Sequence, residues 1–479
     1  MRLPQSPAPH GARLRTADCD LDEFVRIVSQ RTHLADFPLA DEVVDNVLVY
    51  EAARLRETVA RPQGEEAVAA ELVHALTNGP GVVAIRGAFP DVTPVDRATA
   101  VFDAIFAEER ADGGPVGDHF AAAGANDRVW NALEKLALCD PDTFVDYYAN
   151  DIIALVSRAW LGPGYQVTSQ VNVVRPGGKA QEPHRDYHLG FFENAVVERY
   201  PTHVHLLSPV LTLQGAVAHS DMPVESGPTM YLPYSHQFIP GYLAWRLPEF
   251  RAHFATNYVQ LPLSKGDAAF FNPALFHGAG TNISADIQRV ANLLQVSSAF
   301  GRAMELVDRD RVTRAVFPAL LDRKAAGLPD SAVHNALAAA AEGYPFPTNL
   351  DLDQPVDGLT PASQAEIVHD ALTAKATPED LAALLDKYVA RRATSGTTSS
   401  YLKGMGLADN PRRAVWTLSP AGREVAETQI APLRAMYLKA MRDVPQGNAR
   451  CPSGRRDRSF GSNRRRRCGS RGLLAGTAP

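Results

Sequence analysis

The sequence predicts an α+β fold, in which a β-rich core of jelly-roll type carries helical additions before and after it. Residues 165–300 hold a succession of short apolar, β-branched runs punctuated by Gly, Pro and Asp turn residues, a texture that argues for a sandwich or barrel whose strand ends converge on a mouth. The first eighty residues and residues 306–445 show apolar positions at helical spacing instead. A chain of 479 residues with 45% hydrophobic composition can bury one large core with additions, or two cores.

In chain order, residues 41–59 carry Val43, Val44, Val47, Leu48, Ala52 and Leu55 at helical spacing, and residues 65–76 repeat the pattern. An N-terminal helical layer over 1–78 is expected. Gly79-Pro80-Gly81 ends it, and residues 82–87, Val-Val-Ala-Ile-Arg-Gly, form the first strand. Helices are expected at 94–110 and at 142–161, the second stopped by Gly162-Pro163-Gly164. Strands follow at 166–174, 210–218, 229–233, 268–271 and 288–299, so the core is placed at 79–305. A helical region is expected over 306–445, with loops at 344–355 and 395–400.

Composition narrows the function. No charged-then-apolar leader and no apolar run of membrane-spanning length is visible, so a soluble, cytoplasmic protein without membrane contact is expected. Cys19, Cys139, Cys451 and Cys468 have neither disulfide-framework nor zinc-ligand spacing. The net charge of −6 is unevenly spread: residues 450–479 hold nine arginines and one acid, a local +8, so residues 1–449 carry −14. Such an acidic body disfavours nucleic acid as a partner. The Arg/Gly/Ser-rich tail, 446–479, is too poor in apolar residues to fold and is expected to be disordered, either as a solvated appendage or as an arm for an anionic partner.

The chemistry concentrates in the β-rich segment. After the turn Arg175-Pro176-Gly177-Gly178 come His184-Arg185-Asp186; on extended backbone, residues two apart face the same way. Imidazole and carboxylate would thus face one cation, and a second histidine from a distant strand would complete a two-histidine, one-carboxylate site with open positions. His277, in Phe-His-Gly-Ala-Gly, is the candidate. An isolated His-x-Asp pair is common on surfaces, so the context decides. Arg289, twelve residues beyond His277, opens the next strand, expected beside the strand leading to His277, and could grip a carboxylate with its planar fork; an ordinary surface arginine is the plainer account. Gln170 and Asn172 share one face of the strand before the metal loop and could donate to a cosubstrate, or simply pack.

Two decoys compete. His219-Ser220-Asp221 is a second His-x-Asp, and His203 with His205 would be a same-face pair on a strand. His188 and His236 read better as hydrogen-bonded or pocket-lining residues than as ligands. Arg175 and Lys179 are the fallback cations should Arg289 not serve.

From residue 79 to 301 the chain resembles the phytanoyl-CoA dioxygenase family of Fe(II)/2-oxoglutarate-dependent oxygenases. The resemblance rests on the strand and turn before His184-Arg185-Asp186, on the loop Glu225-Ser-Gly-Pro-Thr-Met-Tyr-Leu-Pro-Tyr-Ser-His236, and on the approach Lys265-Gly-Asp-Ala-Ala-Phe-Phe to His277, all in the family's order. It implies a double-stranded β-helix, cupin-like core, with His184, Asp186 and His277 as the catalytic iron ligands. It also implies Arg289 as the anchor of the 2-oxoglutarate carboxylate, and O2 and a small molecule as the other reactants. The product would be a hydroxylated or otherwise oxidised substrate, with succinate and CO2. Related halogenases have a small residue in place of the carboxylate ligand, so Asp186 points to hydroxylation or a related oxidation. One departure stands out, because the family's loop usually has Gly where this chain has Tyr234. The rival readings are a β-barrel that binds metal or ligand without turnover, and a nucleic-acid factor acting through the tail.

Overall fold

The computed structural model describes residues 11–111, 126–355 and 358–393, together with the backbone of 408–412 and 415–418. The chain divides into two compact units, Met1–Thr394 and Ser395–Pro479. In the first unit, strands β1 (Glu42–Val44), β2 (Val47–Glu51), β3 (Val82–Arg86), β4 (Asn126–Val129), β5 (Gln166–Val174) and β6 (Thr212–Ala218) are followed by β7 (Met230–Leu232), β8 (Val259–Gln260), β9 (Ala268–Phe271), β10 (Phe276–Gly278) and β11 (Arg289–Ser297). Eight of them form a large sheet in the order β1-β2-β3-β9-β6-β11-β5-β4, and a smaller sheet runs β10-β7-β8. The two sheets make the double-stranded β-helix, flanked by helices.

Alternation along the strands assigns the faces. On β11, Val290, Leu294 and Val296 join the main apolar core, while Arg289, Ala291, Leu293 and Gln295 line the interior cavity. On β6, Leu213 and Val217 go outward while Gln214 and Ala216 go inward; on β9, Phe270 and Phe271 divide in the same way. The outward residues are covered by helices that contribute Leu72, Phe102, Phe144, Tyr147, Phe317 and Leu337 to one continuous cluster. Each such side chain, fully buried, contributes roughly 1.5–3 kcal/mol. The large sheet is therefore pinned by its helical coat, and its other face is left free for chemistry.

Several expectations are corrected. Residues 41–51 are not helical: β1 and β2 form a hairpin, and only Ala52–Val59 is a helix. The turn residues Asp45 and Asn46 adopt φ of 48° and 73°, the left-handed pair of a two-residue hairpin turn. β2 then pairs in parallel with β3, so this N-terminal segment extends the large sheet. The helix expected at 142–161 is two, Pro141–Tyr148 and Asp151–Leu161, because the Asn150 side chain caps the second by accepting from Ile152 N and Ile153 N. A helix at Ala132–Cys139 precedes them. β11 does not neighbour β9, the strand that leads toward His277; β6 lies between them.

After the core, helices run over Arg309–Ala325, Asp330–Ala340, Gln364–Thr373 and Pro378–Arg392. Within 306–445 the helical expectation fails at Ala408–Arg412 and Val415–Leu418, which pair as an antiparallel two-stranded sheet in the second unit. The loop expected at 395–400 and the Arg-rich tail lie outside the described residues. Cys19 and Cys139 are free thiols. No helix among the described residues is long and apolar enough to cross a membrane.

Candidate functional site

The segment after β5 turns at Gly177, whose φ is +82°, and runs back beside the end of β10. Gln181 N donates to Ala279 O (2.8 Å), His184 N to His277 O (2.9 Å) and His277 N to His184 O (3.2 Å). This isolated antiparallel bridge sets the two histidines side by side, with ring centroids 4.5 Å apart. Arg185 between the two candidate ligands points the other way. It is buried, donates to Ser235 O (2.6 Å) and Phe238 O (2.9 Å), and lies over the rings of Tyr242 and Phe276. Its guanidinium fits only because residue 241 is Gly; a Cβ there would fall 1.9 Å from Arg185 Cζ.

The ring orientations carry chemical information. His184 Nδ1 faces the Glu182 carbonyl at 2.8 Å, and His277 Nδ1 faces the Leu275 carbonyl at 2.9 Å. A carbonyl only accepts, so each Nδ1 carries the proton, and in the neutral ring each Nε2 presents a lone pair. Those two lone pairs point at Asp186, with His184 Nε2 3.6 Å from Oδ1 and His277 Nε2 3.5 Å from Oδ2. One potential ligand atom from each of His184, Asp186 and His277 lies within 4.8 Å of the other two. Burial disfavours the ionised carboxyl of Asp186. The positive charge that the His184 and His277 rings carry when protonated, and the Gln214 amide, which donates to Oδ2, outweigh it and hold the group well below the usual carboxylate range; with the rings neutral, the Gln214 amide is the donor that remains among the described residues. For His184, burial outweighs the pull of Asp186 and lowers its pKa, favouring the neutral, ligating ring.

These three residues open into a cavity of about 650 Å³. Arg289, opposite Val174 in the β11–β5 ladder, lines it. It is buried, its Nη1 has no hydrogen-bond partner among the described residues, and no described carboxylate lies within ion-pair distance. Burial lowers its pKa to about 10 against the opposing effect of Tyr231. A buried guanidinium without a counter-charge is an open seat for a carboxylate. Asn172 also lines the cavity, with its Oδ1 unpartnered among the described residues. Gln170 does not: its Oε1 accepts from Arg128 (2.9 Å) and its amide reaches Gln295 (3.4 Å). Sequence reasoning missed Gln214. The available signal was a polar residue at an inward position of an otherwise apolar strand.

The decoys are occupied elsewhere. Thr99 Oγ1 donates to Val95 O, so it accepts from His219 Nδ1; Tyr147 OH then donates to His219 Nε2, both contacts being 2.9 Å. Asp221 is exposed and accepts from Lys265 N (2.9 Å). His203 and His205 sit on the helix Thr202–Leu207, not on a strand; His205 is buried and His203 exposed, so they share no face. His188 contacts Ser208 Oγ (2.9 Å) and His236 contacts Thr77 O (3.1 Å). Arg175 pairs with Asp127, Lys179 is exposed, and neither lines the cavity. Tyr234 adopts φ +67°, a conformation that favours glycine. Its N–H donates to Pro80 O (3.0 Å), and its hydroxyl shares a hydrogen bond with Thr32 Oγ1 (2.9 Å).

Residues 65–291 match the model of the family described as phytanoyl-CoA dioxygenase (PhyH). No curated protein matches the chain. Among solved structures, the chain is similar to the non-haem α-ketoglutarate-dependent epimerase SnoN from nogalamycin biosynthesis, with 22% identity over 50% of this chain and 85% of that one and a TM-score of 0.36. It is also similar to the α-ketoglutarate-dependent carbocyclase SnoK from the same biosynthesis, with 19% identity, 50% and 89% coverage and a TM-score of 0.34. A third is HygX from Streptomyces hygroscopicus with nickel, 2-oxoglutarate and hygromycin B bound, with 13% identity, 49% and 90% coverage and a TM-score of 0.32.

Proposed function

Because residues 65–291 belong to the phytanoyl-CoA dioxygenase family, we propose that this protein is an Fe(II)- and 2-oxoglutarate-dependent oxygenase that hydroxylates or otherwise oxidises a C–H bond of a small molecule. The observation that carries the reading is the convergence of two unprotonated Nε2 atoms and one carboxylate on a single point of the cavity. Two imidazole lone pairs 3.5–3.6 Å from the Asp186 carboxylate, with one ligand atom of each residue within 4.8 Å of the others and Gln214 donating to Asp186, make a good cation seat and a poor empty one.

In this reading His184, Asp186 and His277 hold Fe(II), and Arg289 takes the far carboxylate of 2-oxoglutarate. When bound, iron and cosubstrate supply activation of O2 coupled to decarboxylation to succinate and CO2. The chain's own work is orientation. The Glu182 and Leu275 carbonyls fix the tautomers, Gln214 fixes the Asp186 carboxylate, and Asn172 Oδ1 offers an acceptor in the cavity wall. The apolar wall residues Leu261, Leu263, Phe271, Ala291 and Leu293 limit water.

The test is Fe(II) titration with measurement of succinate formed in the absence of substrate. His184→Ala, Asp186→Ala and His277→Ala should each lose iron binding and turnover while remaining folded, since a three-ligand site has no spare donor. Loss of iron in His219→Ala with retention in His184→Ala would overturn the assignment. Iron binding without any succinate would leave a metal-binding barrel that does not turn over.

A further inference from the structure

The cavity is positively charged inside an acidic protein. Five arginines line it, Arg128, Arg185, Arg246, Arg251 and Arg289, against two carboxylates, Glu182 and Asp186, while residues 1–449 carry −14. Most of these charges have occupations. Asp186 belongs to the metal seat and Arg289 to the cosubstrate. Arg185 is turned into backbone carbonyls, Arg128 donates to Gln170, and Arg251 pairs with Glu182 at 3.4 Å. Arg246 is different. It makes no ion pair with a described residue; burial lowers its pKa, with Glu193 opposing and Arg251 adding to the effect.

Arg246 is also held ready. One arm, Nη2, donates to Gly190 O (2.9 Å), tying it to the loop that follows Asp186. The guanidinium carbon lies 3.8 Å from the centroid of the Trp245 ring, a stacked cation–π contact. The other arm, Nη1, is buried with no partner among the described residues, and so is the neighbouring indole Nε1–H of Trp245. Two buried donors on adjacent residues, both lining the cavity, are costly unless something accepts from them. The cavity wall also includes the apolar Phe191 and Leu261, and Phe191 is exposed.

We propose that Trp245 and Arg246 form a substrate subsite that accepts an anionic group, carboxylate or phosphate, carried on a flat or apolar body. The proposal rests on the oxygenase reading of the cavity and specifies the substrate class for it: an amphipathic acid whose head is held on the Trp245–Arg246 shelf while its apolar part reaches along the wall toward the metal seat. The apolar wall and the stacked indole favour a planar or hydrocarbon body over a sugar-like one.

The full chain, loaded with Mn(II) and saturated with 2-oxoglutarate so that Arg289 is engaged, is titrated calorimetrically with 2-naphthoate, 2-naphthyl phosphate and the neutral 2-naphthamide. At least one anion should bind about tenfold or more tightly than the amide, as expected for a charge-assisted pair, and the tighter of the two identifies the head group. Arg246→Gln should reduce that preference to less than about threefold, with Arg246→Lys recovering part of it. Trp245→Phe, which deletes the indole donor and shortens the aromatic shelf, should weaken both ligands but the anion more than the amide, narrowing the preference; this variant decides the matter if Arg246→Gln does not fold. Equal affinity for anions and amide in the wild type, or a preference that survives Arg246→Gln, overturns the subsite. Failure of 2-oxoglutarate to bind the Mn(II)-loaded wild type would count against the oxygenase reading, and the naphthyl comparison repeated without it still decides the subsite.

Discussion

Arg289 and His219 are both buried cationic residue types, and their surroundings give them opposite uses. Arg289 stays charged in an apolar wall with Nη1 unpartnered among the described residues; replacing it should therefore cost ligand binding and not folding. Arg289→Leu is expected to raise the apparent KM for 2-oxoglutarate a hundredfold or more, since losing one partner of a buried charge pair costs about 3–5 kcal/mol. Arg289→Lys should restore only part, and iron occupancy, measured alongside, should hold. Unchanged 2-oxoglutarate dependence in Arg289→Leu would remove it from the site. His219 is instead held neutral, its single proton given to Thr99 and its lone pair taken by Tyr147. Burial, with Lys265 adding to it and Asp96 opposing, lowers its pKa to about 3. The folded pKa is below the ordinary value near 6.5, so the unfolded chain binds the extra proton. The stability His219 contributes is complete above about pH 6.5 and drains away as pH falls toward 3, by at most about 1.4 kcal/mol per pH unit. His219→Gln should reduce proton uptake on unfolding at pH 5 by about one, measured from the pH dependence of urea unfolding. An unchanged slope would show that His219 is not the titrating group.

Among the elements, the β1–β2 hairpin shows how a local pattern can mislead. Val43, Val44, Val47 and Leu48 sit at spacings that suit a helix, but Asp45 and Asn46 in left-handed conformation turn the chain, and the valines pair across the hairpin as Val44 with Val47. Asn46 does more than turn: its Oδ1 accepts from Thr32 N (2.7 Å) and its Nδ2 donates to Gln30 O (2.8 Å). Asn46→Ala should destabilise by roughly 2–3 kcal/mol, from the left-handed penalty and two lost hydrogen bonds. Asn46→Gly should cost less, because only the hydrogen bonds go. Equal losses in the two variants, read from denaturant midpoints, would mean that the turn conformation is not strained. The strand β6 makes the complementary point. Its position between β9 and β11 brings Gln214 onto Asp186; the local pattern of residues 212–218 marks Gln214 as a polar residue in an apolar run but cannot name Asp186 as its partner.

In the molecule taken whole, every residue placed at the site lies within the unit Met1–Thr394. Deleting residues 447–479 should therefore leave 2-oxoglutarate turnover and its KM unchanged. Steeply salt-dependent nucleic-acid binding by the full chain, lost on truncation, would instead revive a role for the arginine tail. The cluster of His184, Asp186 and His277, which could hold a metal ion, was legible because its two halves are local events. His184 and Asp186 face one way because residues two apart on extended chain do so, and His277 and Arg289 stand at or near the ends of recognisable strands. The face proposed for the cosubstrate was half legible: Asn172 and Gln170 have the same periodicity, yet Arg128 and Gln295 engage Gln170 and leave Asn172 in the cavity. Nothing in the spacing of the sequence distinguishes the two. Sequence periodicity fixes which face of a strand a side chain occupies, because that depends on the backbone of its immediate neighbours. Which strands then lie side by side, which polar partners they bring, and which donors, such as Trp245 Nε1 and Arg246 Nη1, are left without one among the described residues follow from contacts between residues far apart in the chain, settled only when the helical coat and the two sheets pack together.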